Sequence, residues 1–335
     1  MGRLVRPETL DELTRRQDGL VLRQQALRLG MTGKTIEWRL ARGRWQRVLG
    51  GLYATFSGEL TEDQRLIAAA LHGGQGAQIT GAAALRWHRF RYGPPVRRID
   101  VLVPMRTRRT SNGLVAIHRT TRLDPHSRLR PAMEICSVAR AVADAARGSR
   151  SLREVRAFTA EAVQRKLTDL PELLDELREG PKAGSALLRK ALVDLGAGVR
   201  SAPEAEFRDL LGRSKILPAI LWNPKLATVD GSASLPTPDG WIQEVGLVLE
   251  VDSQEHHASP EGWRRTMERH NLFGAYGVLV LHFTPREIRE EASKVLARVE
   301  QAYLERRRTG ACAPRVRPVG AVLTPLSGGK PGNDA

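Results

Sequence analysis

Three acidic residues in the last third of the chain, Asp239, Glu250 and Asp252, have types and spacing suited to chemistry. Side chains alternate between the two faces of a β-strand, so in the apolar run Val245 to Val251 ending at Asp252, Glu250 and Asp252 share one face. Asp239 lies eleven residues before Glu250, where a neighbouring antiparallel strand would bring it alongside. Carboxylates gathered in this way repel one another unless a cation sits between them. Hard divalent ions such as Mg2+ prefer such oxygen donors and retain several waters. An ion held there polarises a phosphate, lowers the pKa of a bound water and stabilises a leaving oxygen, which suits phosphodiester hydrolysis. His256 and His257 follow within five residues of Asp252. An imidazole there could take the water's proton or protonate the leaving group, with His257 the preferred base and His256 the second.

The elements that must position these groups run helix first. The pattern predicts a helix over 202–211, a β segment near 221–227, a turn, then Asp239 and the strand ending at Asp252. A helix over 260–273, a buried strand over 278–283 and a last helix over 285–304 complete an α/β domain with a mixed central sheet. Several of these residues also have an ordinary structural reading. Glu204 stands three residues after Ser201, the spacing of a capping box. Asp239 precedes Gly240 as a turn residue would, and paired histidines are commonly exposed or structural.

Pro238, Asp239, Gly240 and Trp241, then Val248 to Asp252, then His256 and His257, resemble the motif of the bacterial domain related to very-short-patch-repair endonucleases, within the PD-(D/E)XK superfamily. Trp263, Arg264, Arg269 and the run Gly277 to Thr284 continue the similarity, which covers about the last third of the chain. The resemblance implies a restriction-endonuclease-like fold, metal ligation by Asp239 and Glu250, and an E-x-D variant of the E-x-K element ending at Asp252. It implies roles for His256 and His257 and places the family's early helix glutamate at Glu204. The chain departs from the pattern in lacking the superfamily's catalytic lysine, since Asp252 stands there. Ser253 replaces a commoner glycine, and His282 a commoner arginine.

Charge places the nucleic-acid contact elsewhere. The 335 residues carry 53 basic and 37 acidic side chains, a net +16, which favours a polyanionic partner. Residues 1–58 hold 11 basic and 5 acidic groups and residues 59–200 hold 25 and 15, whereas residues 201–304 hold 11 and 15. DNA contact is therefore expected in the first 200 residues. There, Leu10, Leu13 and then Leu20 predict a helix stopping near Gly19, Arg23 to Leu29 a second ending at Gly30, and Thr32 caps a third that ends at Gly43. Two β-prone runs around Gly50 and Gly51 predict a hairpin. Three helices and a hairpin describe a winged helix-turn-helix, with Lys34, Arg39, Arg42, Arg44 and Arg47 as the cations of its third helix and wing. The same cations also fit the solvated face of a small helical domain. The stretch Arg23 to Tyr53, including Arg39 to Trp45, resembles the N-terminal domain of AbiEi-type antitoxins, which implies a winged-helix transcriptional autorepressor. Gly33, Lys34 and Thr35 imitate the end of a phosphate-binding loop, but Arg28 stands at its required earlier glycine.

The middle region reads as mostly helical with a small sheet (strands over 99–103 and 114–118) and carries no catalytic constellation. Arg106, Arg108 and Arg109 with His118 and Arg119 read either as solvated loop charge or as a second DNA-contacting surface. The expected division is 1–58, a winged helix; 59–198, an antitoxin-like middle domain; 199–304, an endonuclease-like domain; and 305–335, a disordered basic tail. No run approaches the roughly 18 apolar residues of a membrane helix and no apolar signal core opens the chain, so a cytoplasmic protein without membrane contact is expected. Cys136 and Cys312 cannot supply a disulfide framework or a thiolate zinc site.

The sequence therefore predicts an α+β multidomain protein that binds double-stranded DNA and carries an Mg2+-dependent endonuclease-like domain. The alternative is a non-catalytic antitoxin-like repressor whose C-terminal domain serves homodimerisation or a partner such as a toxin. In that case an arginine or lysine filling the space between the carboxylates would leave only a reader of DNA.

Overall fold

Thr9 starts the first helix, Leu10–Arg16, by a reciprocal cap: Glu12 N–H donates to Thr9 Oγ1 at 3.3 Å and Thr9 N–H to Glu12 Oε2 at 2.8 Å. The computed structural model describes residues 8–252, 260–310 and 315–319 and divides the chain into two units, Met1–Arg189 and Lys190–Ala335. In the first unit, Gly19 (φ +80°) ends the opening turn and releases Leu20–Leu22 as a strand, an element the sequence pattern does not signal. Helices Arg23–Arg28 and Gly33–Ala41 follow, the latter capped by Thr32. Strands Gln46–Leu49 and Leu52–Ala54 turn at Gly50 and Gly51, and Leu52–Ala54 lies central in a three-stranded antiparallel sheet beside Leu20–Leu22. Leu13, Val21, Ala26, Ile36, Trp45 and Tyr53 bury together beneath it.

The rest of this unit places helices Glu62–Gly73, Gly81–Trp87, Val138–Gly148, Leu152–Gln164 and Leu170–Glu179 with a five-stranded sheet. That sheet orders Val115–Thr120, Ile99–Pro104, Gln78–Thr80, Met133–Ile135 and Arg128–Arg130. It is larger than the two expected strands. Ile135 closes a strand, and the next helix begins at Val138 under the Ser137 cap.

In the second unit, helix Ala202–Leu211 precedes a four-stranded sheet ordered Leu279–Phe283, Leu247–Val251, Gly240–Ile242 and Leu221–Trp222. The first two strands are parallel and the remaining pairs antiparallel, so the sheet is mixed. Alternation along Leu247–Val251 sends Leu247 and Leu249 into a core with Phe207, Leu211, Phe283 and Val299. Val248 points the other way, into a core with Trp241, Phe273 and Val280. Phe273 belongs to helix Pro260–Ala275, so the face that carries Val248 and Glu250 looks toward that helix.

The expected last helix is two, Pro285–Glu290 and Ala292–Arg308, broken at Glu291. The tail expected to be disordered from residue 305 also differs. The last helix continues through Arg308, and Val316–Pro318 pairs antiparallel with Leu226–Thr228 in a second small sheet. Edge pairing tolerates Pro318, which lacks an N–H to donate. Helix Ala186–Gly196 spans the division between the units, about nine residues before the boundary expected between 198 and 199. No helix among the described residues is long and apolar enough to cross a membrane.

Candidate active site

The antiparallel register Gly240↔Leu249 places Asp239, one residue before its strand, across from Glu250. Gly240 permits the close approach: a Cβ there would lie 3.2 Å from Leu249 Cβ. The return between these strands is a tight turn, Gln243–Val245, closed by Gly246 at φ +61°. Asp239 Oδ2 accepts a hydrogen bond from Val251 N–H at 2.8 Å, and its carbonyl accepts one from Asn223 N–H at 3.0 Å. Both ends of the residue are thus tied into neighbouring strands.

Glu204 approaches from helix Ala202–Leu211. Its Oε2 accepts from Asn223 Nδ2 at 2.7 Å and from Arg200 N–H at 2.9 Å, and its Oε1 from Ser201 Oγ at 2.8 Å. The carboxylate is buried and fully engaged in holding the helix start and Asn223, in line with its capping reading. Its charge nonetheless reaches Asp239. Burial, then Glu204, then Glu250 push the Asp239 carboxyl up to about 7, against the Val251 bond and the pull of Arg269.

Glu250 is also buried, which raises its carboxyl above the usual range although Arg269 opposes the shift. Arg269, on helix Pro260–Ala275, donates from Nη2 to Glu250 Oε1 at 2.6 Å and to Thr237 O at 3.2 Å. An arginine thus occupies the position beside Glu250 where the sequence argument places a cation. One strand further, the parallel register Glu250↔His282 sets an imidazole next to the acids. His282 Nδ1 pairs with Asp252 Oδ2 at 2.7 Å, and this hydrogen bond raises the imidazole above its usual value despite partial burial. His270 stacks tilted at 5.6 Å from the His282 ring.

Asp239 and Glu250 are brought together, Asp252 stays on the Glu250 face but pairs with His282, and His256 and His257 lie outside the described residues. Among the described residues, no group of three or more His, Cys, Asp and Glu side chains is disposed to hold a metal ion. In donor type the set fits a hard divalent cation, offering carboxylate oxygens rather than nitrogen or sulfur donors, while Arg269 already pairs with Glu250. Arg269 and His282 are the partners that local sequence spacing could not assign. His282 was visible only as a departure from the motif, and Arg269 only as part of it.

In the first unit, Lys34, Arg42, Arg44 and Arg47 are exposed and Arg39 is half-buried. The Arg42 and Arg44 guanidiniums lie 4.5 and 5.1 Å from the centroid of exposed Trp38, while Arg39 stacks on Trp45 at 5.1 Å. Arg47 is pulled instead toward Glu37 at 2.9 Å.

No family model matches this chain, and no curated protein matches it. Among solved structures, the crystal structure of the RV2827C protein from Mycobacterium tuberculosis is similar at 15% identity and a TM-score of 0.39. The match covers 62% of this chain and 81% of that one.

Proposed function

We propose that this chain is a DNA-binding protein whose first unit engages duplex DNA through a winged helix and whose second unit is an endonuclease-like domain hydrolysing phosphodiester bonds with Mg2+. The observation that carries the reading is the strand register that faces Asp239 with Glu250 beside Asp252 and His282. Asp239 and Glu250 would hold the ion, with Asp252 assisting directly or through water. Bound there, the ion would supply a Lewis acid for the phosphate and an acidified water. His282, held on Asp252, would keep a proton beside the developing negative charge, while His257 or His256 serves as base. Helix Gly33–Ala41 and its neighbouring strands would supply the DNA contacts, through Lys34, Arg39, Arg42, Arg44 and, less strongly, ion-paired Arg47.

The Arg269–Glu250 pair favours a second reading, in which the guanidinium permanently replaces the ion and the protein is a non-catalytic, antitoxin-like repressor. Purified full-length protein with supercoiled plasmid and Mg2+ separates the two. Nicking by the wild type that falls to background in Glu250→Ala supports the nuclease. Salt-dependent promoter binding with no Mg2+-dependent nicking, unaffected by Glu250→Ala, supports the repressor.

A further inference from the structure

The first unit holds an open cavity of about 800 Å³ that lies apart from the Lys34, Arg39, Arg42, Arg44 and Arg47 cations and from the acidic site, and that takes only Gln24 from the N-terminal module. Its lining includes the stretch 73–76, which leaves the end of helix Glu62–Gly73 and turns at Gly74 (φ +86°) and Gly76 (φ +73°). Glycine is required at both turns, and neither residue projects a side chain into the space. The loop after strand Ile99–Pro104 contributes Arg106, Thr107, Arg108 and Arg109 to the same lining. Gln24 adds an amide, and Pro104 and Leu123 add an apolar patch.

This loop is held in shape. Arg119 donates from Nε to Thr107 O at 2.8 Å and from Nη2 to Arg109 O at 2.9 Å, and the His72 imidazole bonds Thr110 O at 2.9 Å. By turning these carbonyls toward its own donors, the protein fixes the backbone that carries three guanidiniums within four residues. Arg106, Arg108 and Arg109 are exposed and make no ion pair among the described residues. Concentrated like charge with no acidic partner is relieved by an anionic ligand, and planar guanidiniums suit phosphate oxygens. The volume falls in the range of small-molecule sites, and the concave, partly apolar wall suits a bounded ligand better than a flat face of charge would.

We infer that this cavity binds a phosphate-bearing ligand of nucleotide size, either a free nucleotide or a nucleotide unit of a nucleic-acid strand. The inference does not rest on the endonuclease reading.

The test is calorimetric titration of the full chain with sodium pyrophosphate and ATP, and anisotropy with a 20-base-pair duplex. The variants are Arg106→Gln/Arg108→Gln/Arg109→Gln, its triple Lys counterpart, and a control triple Arg128→Gln/Arg130→Gln/Arg150→Gln. A loss of about tenfold or more in pyrophosphate or ATP affinity, confined to the first Gln triple and largely restored by Lys, supports the inference with a free phosphate as the source. A loss of that size for duplex alone, beyond that of the control triple, supports it with nucleic acid as the source. Lys34→Gln/Arg42→Gln/Arg44→Gln is expected to leave pyrophosphate and ATP affinity unchanged even where it abolishes duplex binding, which separates this site from the winged helix. The inference is overturned if the wild type binds none of the three probes, or if the first Gln triple binds as tightly as the wild type or loses no more than the control.

Discussion

Arg269 Nη2 lies 2.6 Å from Glu250 Oε1, on the face of the strand where Asp239 and Asp252 also gather. Glu250 stays above its usual range in spite of this partner, because burial outweighs the guanidinium. The Arg269 side chain is 42% exposed against 11% for Glu250, so solvent can take up the arginine if it leaves, whereas the carboxylate it leaves behind stays buried and needs another cation.

Arg269→Ala should therefore destabilise the ion-free chain by about 1–3 kcal/mol, chiefly by leaving a buried carboxylate unpaired. On the nuclease reading, millimolar Mg2+ restores most of that loss in thermal melts and binds the variant at least as tightly as the wild type. Failure of Mg2+ to restore it would favour the repressor.

Asp239 gives the second unit a pH dependence with a definite sign. Its folded value of about 7 lies above its ordinary 3.8, so the folded state holds the proton more tightly. The resulting stabilisation is full below about 3.8 and is lost as pH rises through about 7. Denaturant titrations of the ion-free chain should show a decline between about pH 4 and 7 that levels off above it, with about 4 kcal/mol as the upper bound. Asp239→Asn, whose amide oxygen can still accept from Val251, should flatten that decline. An unchanged slope would contradict the assignment.

His88 behaves oppositely. Burial lowers its pKa, outweighing its bond to Cys136 O at 2.8 Å. Protonation is disfavoured in the folded state, so the first unit should lose stability as pH falls below about 6.5, the unfolded value. Nuclear magnetic resonance titration of the imidazole should report a midpoint below that value.

Cation–π stacking and ion pairing divide the cations in and after helix Gly33–Ala41 unequally. Arg42→Gln and Arg44→Gln should each weaken duplex binding more than Arg47→Gln, because Glu37 already neutralises Arg47. Glu37→Gln should raise affinity several-fold and steepen the salt dependence by about one counterion. Anisotropy at several salt concentrations measures both.

Gly240→Val should disturb the site without touching a carboxylate. Its first side-chain atom would press on Leu249 Cβ at 3.2 Å, and the strand must shift where it holds Asp239. A loss of about 1–3 kcal/mol is expected in denaturant melts.

The facing of Asp239 and Glu250 was legible in the sequence because strand alternation is local and the intervening turn is short. Arg269 was not, because its meeting with Glu250 depends on how helix Pro260–Ala275 packs over the sheet. The His282–Asp252 pair likewise depends on a parallel register between strands separated by that helix. Leu20–Leu22 is too short to display alternation, and Val316–Pro318 becomes a strand only through a partner some ninety residues earlier. The helix break at Glu291 carries no proline or glycine to announce it.

The most direct measurement is a calorimetric titration of the full-length chain with Mg2+, repeated for Asp239→Asn and Glu250→Gln. The account predicts saturable binding by the wild type, with release of protons at pH 6.5, that is lost in both variants. Absent binding, or binding that survives both substitutions, would contradict a cation site at these carboxylates.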